Sequence, residues 1–595
     1  MLSARVERAV ARVRIDEVMT HLARLTEHDR YQASLGIERA AASIATAAEA
    51  LGLVDVTIER FAADGATRWW TFQGPRAWTP TTARLEVRVA GRVIVAVDHA
   101  RQPFTLAAYS APTAPAGLIA PVVRLGSAPL AGAVVVLDAA AFAQPTLLAT
   151  LAAAGAAGFV TDATCRGAAG EHVGRLELDA ATSLFGFSVT AAQRQAIEDA
   201  DGAEAIVQIE IDRSACMPVV TGVLPGRGAP GEVWLTSHLC HPRPGANDNA
   251  SGAAALLGVA AALFDERRET GRALDRSVRF VWGPEFVGVA ALLHQRDAQL
   301  GSTGRPVAVI NLDMVGEDPV QCGVPLVVER APDWCPSLIT PLAEHVVEEV
   351  FAHTAAHAGT WRPGPFLGYS DHALFATSCD ATWWSPAVQL WHPGDPFNHS
   401  AADTLDKVSP IELRRATAAG AVLAALLASD GADARAVRED AVARWCARET
   451  TAAEAVARRY RDVEDGAWSR RFVEHVAASG ATLRALVDDG AATGPRPRPG
   501  RAFAGRWPGP FNLRAMLAAL DADARAEIAA ALAADKRTYA VATHLAMWAD
   551  VVASCDEAIE RTSMGLRAPI DAAVAARLWS ALLATGWIEG TDGER

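Results

Sequence analysis

The spacing of apolar residues predicts where helices and strands lie, and this spacing changes along the chain. Near the N-terminus, apolar positions recur every three or four residues, as in IERAAASIATAAEALGL, which predicts amphipathic helices. VDVTIERF then alternates as an edge strand does, and from Trp69 to about Asp212 short β-like runs are separated by segments rich in Gly, Pro and Ala. We therefore predict a helix–strand entry at residues 1–60 and a β-rich unit at residues 61–215.

Strand-like and helical stretches alternate in the next part of the chain, between Pro218 and Pro410. VWLTSH, VRFVWG and VAVINLDMVG are typical of buried strands, and SGAAALLGVAAALFDE is typical of a helix. Such alternation indicates βαβ units, so we predict an α/β domain at residues 216–415, with a mostly parallel mixed sheet flanked by helices. Functional groups in such sheets lie at the carboxyl ends of the strands.

Beyond Pro410 the pattern is almost entirely helical, which predicts a helical C-terminal region at residues 416–595. The segment GAATGPRPRPGRAFAGRWPGP interrupts it and is typical of a linker. The end of the chain, ARLWSALLATGWIEG, resembles the last helix and wing of a winged-helix fold, so our hypothesis places such a unit at residues 503–595. That unit has nine Lys and Arg against twelve Asp and Glu, which favours protein docking or homo-oligomerisation over DNA binding.

Charge and cysteine usage exclude several classes of protein. The 595-residue chain has a formal net charge of −14, the opposite sign from a general binder of nucleic acid or anionic membranes. Its eight cysteines are scattered without a CxxC pair, which indicates reduced thiols. The N-terminus lacks the pattern of a secretory signal, and the long uncharged run after Asp138 is mostly Ala and Gly and contains Pro145. We therefore predict a cytoplasmic protein with no nucleic-acid or membrane partner.

Residues that bind metal ions follow several predicted strands. Five strand-end or loop positions offer, in chain order, His, Asp, Glu, Asp and His: His238, Asp248, Glu285, Asp313 and His399. Each residue alone is more often a cap, an ion pair or a satisfied histidine, but all five could converge at the carboxyl edge of one parallel sheet. Imidazole and carboxylate suit zinc. Two ions sharing one carboxylate would polarise a carbonyl and activate water, as amide hydrolysis requires.

These segments resemble the zinc exopeptidases that include bacterial leucyl aminopeptidases, glutamate carboxypeptidase and glutaminyl cyclase. The resemblance covers residues 233–410 and implies two zinc ions, with one as the alternative. It implies that Asp248 in NDNASG bridges the ions and that the other ligands are His238, Glu285, Asp313 and His399. It also implies that residues 1–60 are the N-terminal part of the catalytic domain.

Segments outside the motif set extend the resemblance. LAGAVVVLD, LATLAAAGAAGFVTD and LFGFSVTAAQ are similar to the protease-associated domain, which implies that the β-rich unit is an inserted lid. WWTFQGPRAWTPTTARL, SHLCHP and GPEFVG resemble a subgroup of aminopeptidase-like bacterial proteins with a winged-helix-like C-terminal region.

Two departures from the family pattern affect the site. The family has His-x-Asp, in which the Asp orients the histidine, whereas this chain has Cys240 at that position, so the ligand needs another partner. The family also has two adjacent glutamates, a general base and then a ligand, whereas here Pro284 precedes Glu285. Either Glu285 acts as the base and one ion remains, or another group takes the proton: Asp371, His372 or Glu317. Candidates for second-shell positions or additional ligands are Cys240, His241 and Asp403.

The resulting hypothesis is a zinc metallo-aminopeptidase that hydrolyses the N-terminal peptide bond of a peptide substrate. One alternative is single-zinc acyl transfer of the glutaminyl cyclase kind, because the segment from Asp371 to Phe375 resembles that enzyme's Asp-His-x-x-Phe. The other alternative is a catalytically silent, metal-binding scaffold that binds a protein partner, for which Pro284 is the distinguishing feature.

Overall fold

A mixed sheet of eight strands lies at the centre of the molecule and confirms the predicted α/β class. The structure is a computed structural model that describes residues 1–127, 129–144, 146–300, 305–379, 385–491, 493–494 and 502–590. In spatial order the strands are β1 (Val54–Phe61), β11 (Met217–Leu224), β13 (Ser277–Gly283), β12 (Glu232–His238), β14 (Pro306–Leu312), β17 (Ala387–Trp391), β15 (Leu326–Glu329) and β16 (Trp361–Gly364).

The middle of this sheet is parallel, as the βαβ pattern predicts. Strands β13, β12, β14 and β17 run parallel to one another, so their carboxyl ends share one edge. Helices cover its two faces, and their bounds are α1 (Leu2–Arg12), α2 (Ile15–Thr26), α3 (Leu35–Leu51), α7 (Gly252–Thr270), α8 (Val287–Leu300), α9 (Ile339–His353), α10 (Ala373–Ala376) and α11 (Pro410–Leu427). Both α7 and α11 are apolar nearly all round because they lie buried between the sheet and other helices.

A second sheet forms the inserted unit between β1 and β11. Its strands, in spatial order, are β5 (Arg92–Asp98), β4 (Thr79–Val89), β10 (Glu204–Asp212), β6 (Leu118–Arg124), β7 (Val134–Leu137), β8 (Gly158–Thr161) and β9 (Phe185–Ser188). The insert also contains the helices α4 (Ala139–Phe142), α5 (Leu147–Ala153) and α6 (Ala191–Glu198), and a short hairpin, β2 (Arg68–Trp69) and β3 (Phe72–Gln73), precedes it. Its own buried apolar cluster, centred on Leu85, Val207 and Phe187, makes it a separate β-rich unit.

The C-terminal region is helical, as predicted, and it packs against the catalytic domain. Its elements are α12 (Ala432–Arg459), α13 (Ala467–Asp488), β18 (Phe503–Gly505), α14 (Leu513–Ala518), α15 (Ala522–Ala534), α16 (Thr538–Trp548), α17 (Cys555–Gly565), α18 (Ala572–Ala584) and β19 (Ile588–Gly590). Trp334 and Phe366 of the catalytic domain share one buried cluster with Trp507, Met547 and Leu582 of this region. Residues 492 and 495–501 of the predicted linker lie outside the described residues.

Over the described part of the chain, no helix has both the length and the apolar composition that crossing a membrane requires.

Arg30 ties the N-terminal segment to the loop after β12. Its side chain is fully buried, and it donates to the carbonyl oxygens of Leu239 and Gly245, both at 2.9 Å, and to that of Leu25. Its backbone also exchanges two hydrogen bonds with His241, at 2.8 and 2.7 Å. One side chain therefore satisfies carbonyl groups of two segments that are far apart in sequence.

We expect Arg30→Met to lower the free energy of unfolding by about 3 kcal/mol, because it leaves several buried carbonyl groups without a donor. Urea denaturation followed by circular dichroism measures this change. Arg39→Met is the matched control, because Arg39 is exposed on α3, and we expect it to change stability by less than about 0.5 kcal/mol. Equal stability of the two variants would contradict the proposed role of Arg30.

Candidate metal centre

The five predicted ligand positions all lie at the carboxyl edge of the central sheet. His238 ends β12, Asp313 follows β14, and Glu285 follows β13. Asp248 lies in the loop that leads into α7, and His399 lies in the loop after β17. Parallel strand order brings these residues together although 161 positions separate the first from the last.

The Asp248 carboxylate lies between two groups of potential ligands. Its Oδ1 is 3.3 Å from His238 Nε2, which in turn lies 3.1 Å from Asp313 Oδ1. Its Oδ2 is 3.3 Å from His241 Nε2 and 3.1 Å from His399 Nε2. Each of the two groups therefore contains three residues, and Asp248 belongs to both.

Backbone carbonyl groups orient the His238 ring in this chain, which lacks the usual His-x-Asp. His238 Nδ1 lies 3.0 Å from the carbonyl oxygen of Cys240, which can only accept a hydrogen bond, so Nδ1 carries the hydrogen. His241 Nδ1 is likewise 3.0 Å from the carbonyl oxygen of Pro242. Both rings therefore direct Nε2 towards Asp248, and backbone carbonyls supply the orienting contact that the missing Asp would provide.

The predicted second-shell residues lie beside the ligands in different ways. Asp403 accepts hydrogen bonds from the backbone N–H groups of Asn247, at 2.8 Å, and of Asp248, at 3.1 Å, so it holds the loop that presents the shared carboxylate. Cys240 belongs to neither ligand group, and its Sγ accepts from the backbone N–H of Glu285 at 3.1 Å.

Glu285 lines the cleft beside His238 and Asp248 but belongs to neither ligand group. Behind it, Asp371 Oδ1 accepts from the backbone N–H of Phe286 at 2.6 Å. Burial and the negative charge of Glu285 raise the pKa of Asp371 to about 8. Burial also raises the pKa of Glu285, because it outweighs the attraction of His238. These two carboxyl groups form an acidic pair at one side of the ligands.

His372 and Glu317, the other candidates for a general base, lie in buried histidine–glutamate contacts away from the cleft. His372 Nε2 is 2.7 Å from Glu329 Oε1, and both side chains are fully buried. Glu317 Oε2 is 2.7 Å from His392 Nδ1, again with both side chains buried. Neither residue is among those that line the cleft.

The charges around the ligands favour a bound cation. Burial raises the pKa of Asp403 well above its usual range, and the negative charges of nearby Asp248 and Asp395 raise it further. Burial opposes charge on His238, but Asp313 and Glu285 outweigh it and raise the pKa of the imidazole. Asp403 and His238 therefore both favour the protonated form, which reduces the excess negative charge around them. A bound divalent ion would offset that negative charge directly.

The donor set fits zinc. Bonds of about 2.0–2.1 Å from zinc to nitrogen and oxygen place two tetrahedral ligands about 3.3 Å apart, which agrees with the four contacts of 3.1–3.3 Å described above. His241 Nε2 is buried and has no hydrogen-bond partner among the described residues. A metal ion between His241 and Asp248 would satisfy this nitrogen.

Part of the cleft wall comes from residues that the sequence did not single out. Tyr31 comes from the N-terminal segment, and Tyr109, Arg175 and Glu177 come from the insert; together with the site residues they enclose about 50 Å³. The only signal for Tyr31 was its place in residues 1–60, which resemble the N-terminal part of the family's catalytic domain. Tyr109, Arg175 and Glu177 had no signal in the sequence, because their position at the cleft depends on how the insert packs against the catalytic domain.

The insert is joined to the metal centre by backbone hydrogen bonds. The N–H of Arg175 donates to the carbonyl oxygen of His399 at 2.8 Å, and the N–H of Ala401 donates to that of Val173 at 2.9 Å. The Arg175 side chain is 2.8 Å from Glu177. The insert therefore holds the loop that carries the last ligand.

Comparison with known proteins agrees with this arrangement. The model of peptidase family M28 matches residues 219–424, which include all the ligands. A search of curated proteins found no match. Among solved structures, the zinc aminopeptidase BSAP from Bacillus subtilis is 19% identical, with a TM-score of 0.50, and the match covers 71% of this chain and 97% of that one. A putative peptidase from Clostridium acetobutylicum is 15% identical, with a TM-score of 0.50 and coverage of 71% and 82%.

At these identities the structural matches establish the fold, and the family model adds the class of protein. Residues 219–424 therefore resemble peptidase family M28, and the chain shares the fold of the solved peptidases.

Proposed function

We propose that this protein is an aminopeptidase that uses two zinc ions to release the N-terminal residue of a peptide. The observation that carries the proposal is the position of Asp248, whose two oxygens face two separate histidine-containing groups. In this arrangement His238 and Asp313 would hold one ion, His241 and His399 would hold the other, and Asp248 would contact both. Bound zinc would polarise the scissile carbonyl group and lower the pKa of a water molecule.

Glu285 is the general base in this proposal. It lines the cleft, it belongs to neither ligand group, and its backbone is anchored through its N–H to Cys240 Sγ. The carboxylate would take a proton from the attacking water and deliver it to the departing amine. The loss of the usual paired glutamates is then compensated by His241, which takes the ligand role and leaves Glu285 free for proton transfer.

The shape of the cleft supports action at a chain end. The space beside the ligands is only about 50 Å³, and Tyr31, Tyr109 and the Arg175–Glu177 pair close it on the side of the insert. Such a closed space admits one small residue, whereas an endopeptidase needs a groove that is open at both ends. The Glu177 carboxylate, about half exposed, is a suitable partner for a substrate ammonium group.

The second ligand group also separates this proposal from its alternatives. Single-zinc acyl transfer needs only the group of His238, Asp248 and Asp313, and it gives no reason for a buried His241 Nε2 without a partner. A silent scaffold gives no reason for an uncommitted glutamate beside the ligands.

Zinc content tests the two-ion arrangement. We expect about two zinc ions per chain after gentle purification and about one in His241→Ala, because that variant removes one ligand of the second group. Elemental analysis measures this directly. His353→Ala is the matched control, since His353 is exposed at the end of α9, and it should keep both ions. One ion in the unmodified protein, with pyroglutamate formation from glutaminyl peptides, would support the cyclase alternative instead.

The role of Glu285 is tested by Glu285→Gln. We expect kcat to fall by about 10²–10⁴ while zinc content stays the same, because the amide cannot accept the proton but does not disturb the ligands. Steady-state kinetics on an aminoacyl substrate gives kcat, and elemental analysis gives the metal. A kcat within about tenfold of the unmodified protein would place the base elsewhere.

Substrate preference tests the exopeptidase assignment. We expect a peptide with a free N-terminus to lose its first residue and the same peptide with an acetylated N-terminus to resist, because the acetyl group removes the ammonium charge and overfills the small cleft. Mass spectrometry of the products identifies the bond that is cut. Cleavage of an internal bond in the acetylated peptide would show that the enzyme is an endopeptidase.

A further inference from the structure

A second cavity, larger than the cleft at the metal centre, lies where the catalytic domain meets the C-terminal region. It encloses about 250 Å³. Arg330, Asp333 and Phe366 line it from the catalytic domain. The remaining walls come from the C-terminal region, namely from α12 and α13 (Trp445, His475 and Ala478) and from α16, α17 and the following turn (His544, Trp548, Met564 and Arg567).

One side of the cavity carries positive charge that the protein only partly neutralises. Arg330 is paired with two carboxylates, Glu344 and Glu449, whereas Arg567 Nη1 lies 3.0 Å from Glu449 Oε2, an oxygen that already accepts from Arg330 Nη1. Burial and the nearby charge of Arg330 lower the pKa of Arg567. The Arg567 side chain stays 20% exposed, and this part is available to an anion.

A carboxylate lies on another part of the wall. Asp333 Oδ2 is 2.9 Å from His475 Nε2, and the Asp333 side chain stays 35% exposed. His544 Nε2 is 2.9 Å from the carbonyl oxygen of Phe366, so Nε2 carries the hydrogen. Burial lowers the pKa of His544 to about 4, so the ring is neutral and does not compete with a ligand ammonium for Asp333.

Apolar rings and chains complete the cavity. Phe366, Trp548 and Met564 line it together with Leu483. The cavity thus combines an anion-binding side, a cation-binding side and an apolar wall. We propose that it binds a free α-amino acid with an apolar side chain, with the carboxylate on Arg567, the ammonium on Asp333, and the side chain on the apolar wall.

The test uses two tryptophan substitutions at neighbouring positions of α13. Ala478 lines the cavity and is exposed, whereas Ala477 is equally exposed but does not line it. Ala478→Trp should fill the cavity, and Ala477→Trp is the matched control. Equal unfolding midpoints of the two ligand-free variants, to within about 2 °C, would show that both are folded.

Calorimetric titration with L-leucine then measures binding to the zinc-loaded full chain. We expect Ala477→Trp to bind it like the unmodified protein, and Ala478→Trp and Arg567→Met to bind it at least about tenfold more weakly. Equal binding by Ala477→Trp and Ala478→Trp would mean that leucine occupies another site, such as the metal centre, and would overturn the proposal. An absence of binding to the unmodified protein at millimolar leucine would also overturn it.

Two leucine analogues test recognition of both charges. 4-Methylpentanoate lacks the ammonium group and 3-methylbutylamine lacks the carboxylate, so each should bind at least about tenfold more weakly than leucine to Ala477→Trp. Binding of 4-methylpentanoate as tight as that of leucine would identify a site for simple anions instead. Binding of 3-methylbutylamine as tight as that of leucine would show that Arg567 takes no part, which would also contradict the proposal.

Discussion

The metal centre depends on one buried carboxylate that faces two directions. A carboxylate as deeply buried as that of Asp248 is unfavourable unless positive charge or hydrogen-bond donors surround it. Here three imidazole rings approach its oxygens, and they lower the pKa of Asp248 well below its usual range despite the burial. The loop around it is fixed by Asp403 from one side and by Asn249 from the other, so the carboxylate cannot turn away.

Every part of the chain contributes to holding this group in place. The N-terminal segment reaches the loop after β12 through Arg30, and the insert reaches the loop of His399 through main-chain hydrogen bonds. The central sheet supplies the strand ends, and α7 begins directly after the Asp248 loop. The position of the ligands is therefore a property of the whole assembly rather than of the five residues alone. The C-terminal region contributes through Phe286, the neighbour of Glu285, which packs against its buried cluster.

The sequence predicted those features that depend on local periodicity and on strand order. Residues such as His238 and Asp313 were identifiable because parallel strands must end at a common edge. The position of His241, 3.3 Å from Asp248, was not predictable, because it depends on the path of an irregular loop whose backbone bonds to Arg30. The packing of Trp334 against the C-terminal helices was also not predictable. The spacing of apolar residues shows that one face of an element is buried, but it does not show which other element covers that face.

The insert begins and ends on neighbouring strands, since Phe61 at the end of β1 is paired with Met217 at the start of β11. In topological terms the whole unit is an enlarged hairpin loop at the edge of the sheet. Bringing the ends of such a long loop together is entropically costly, and a unit that folds first around its own core removes most of that cost. The same connection interrupts no strand of the catalytic sheet, so an ancestral hairpin could acquire the insert without any change in strand order.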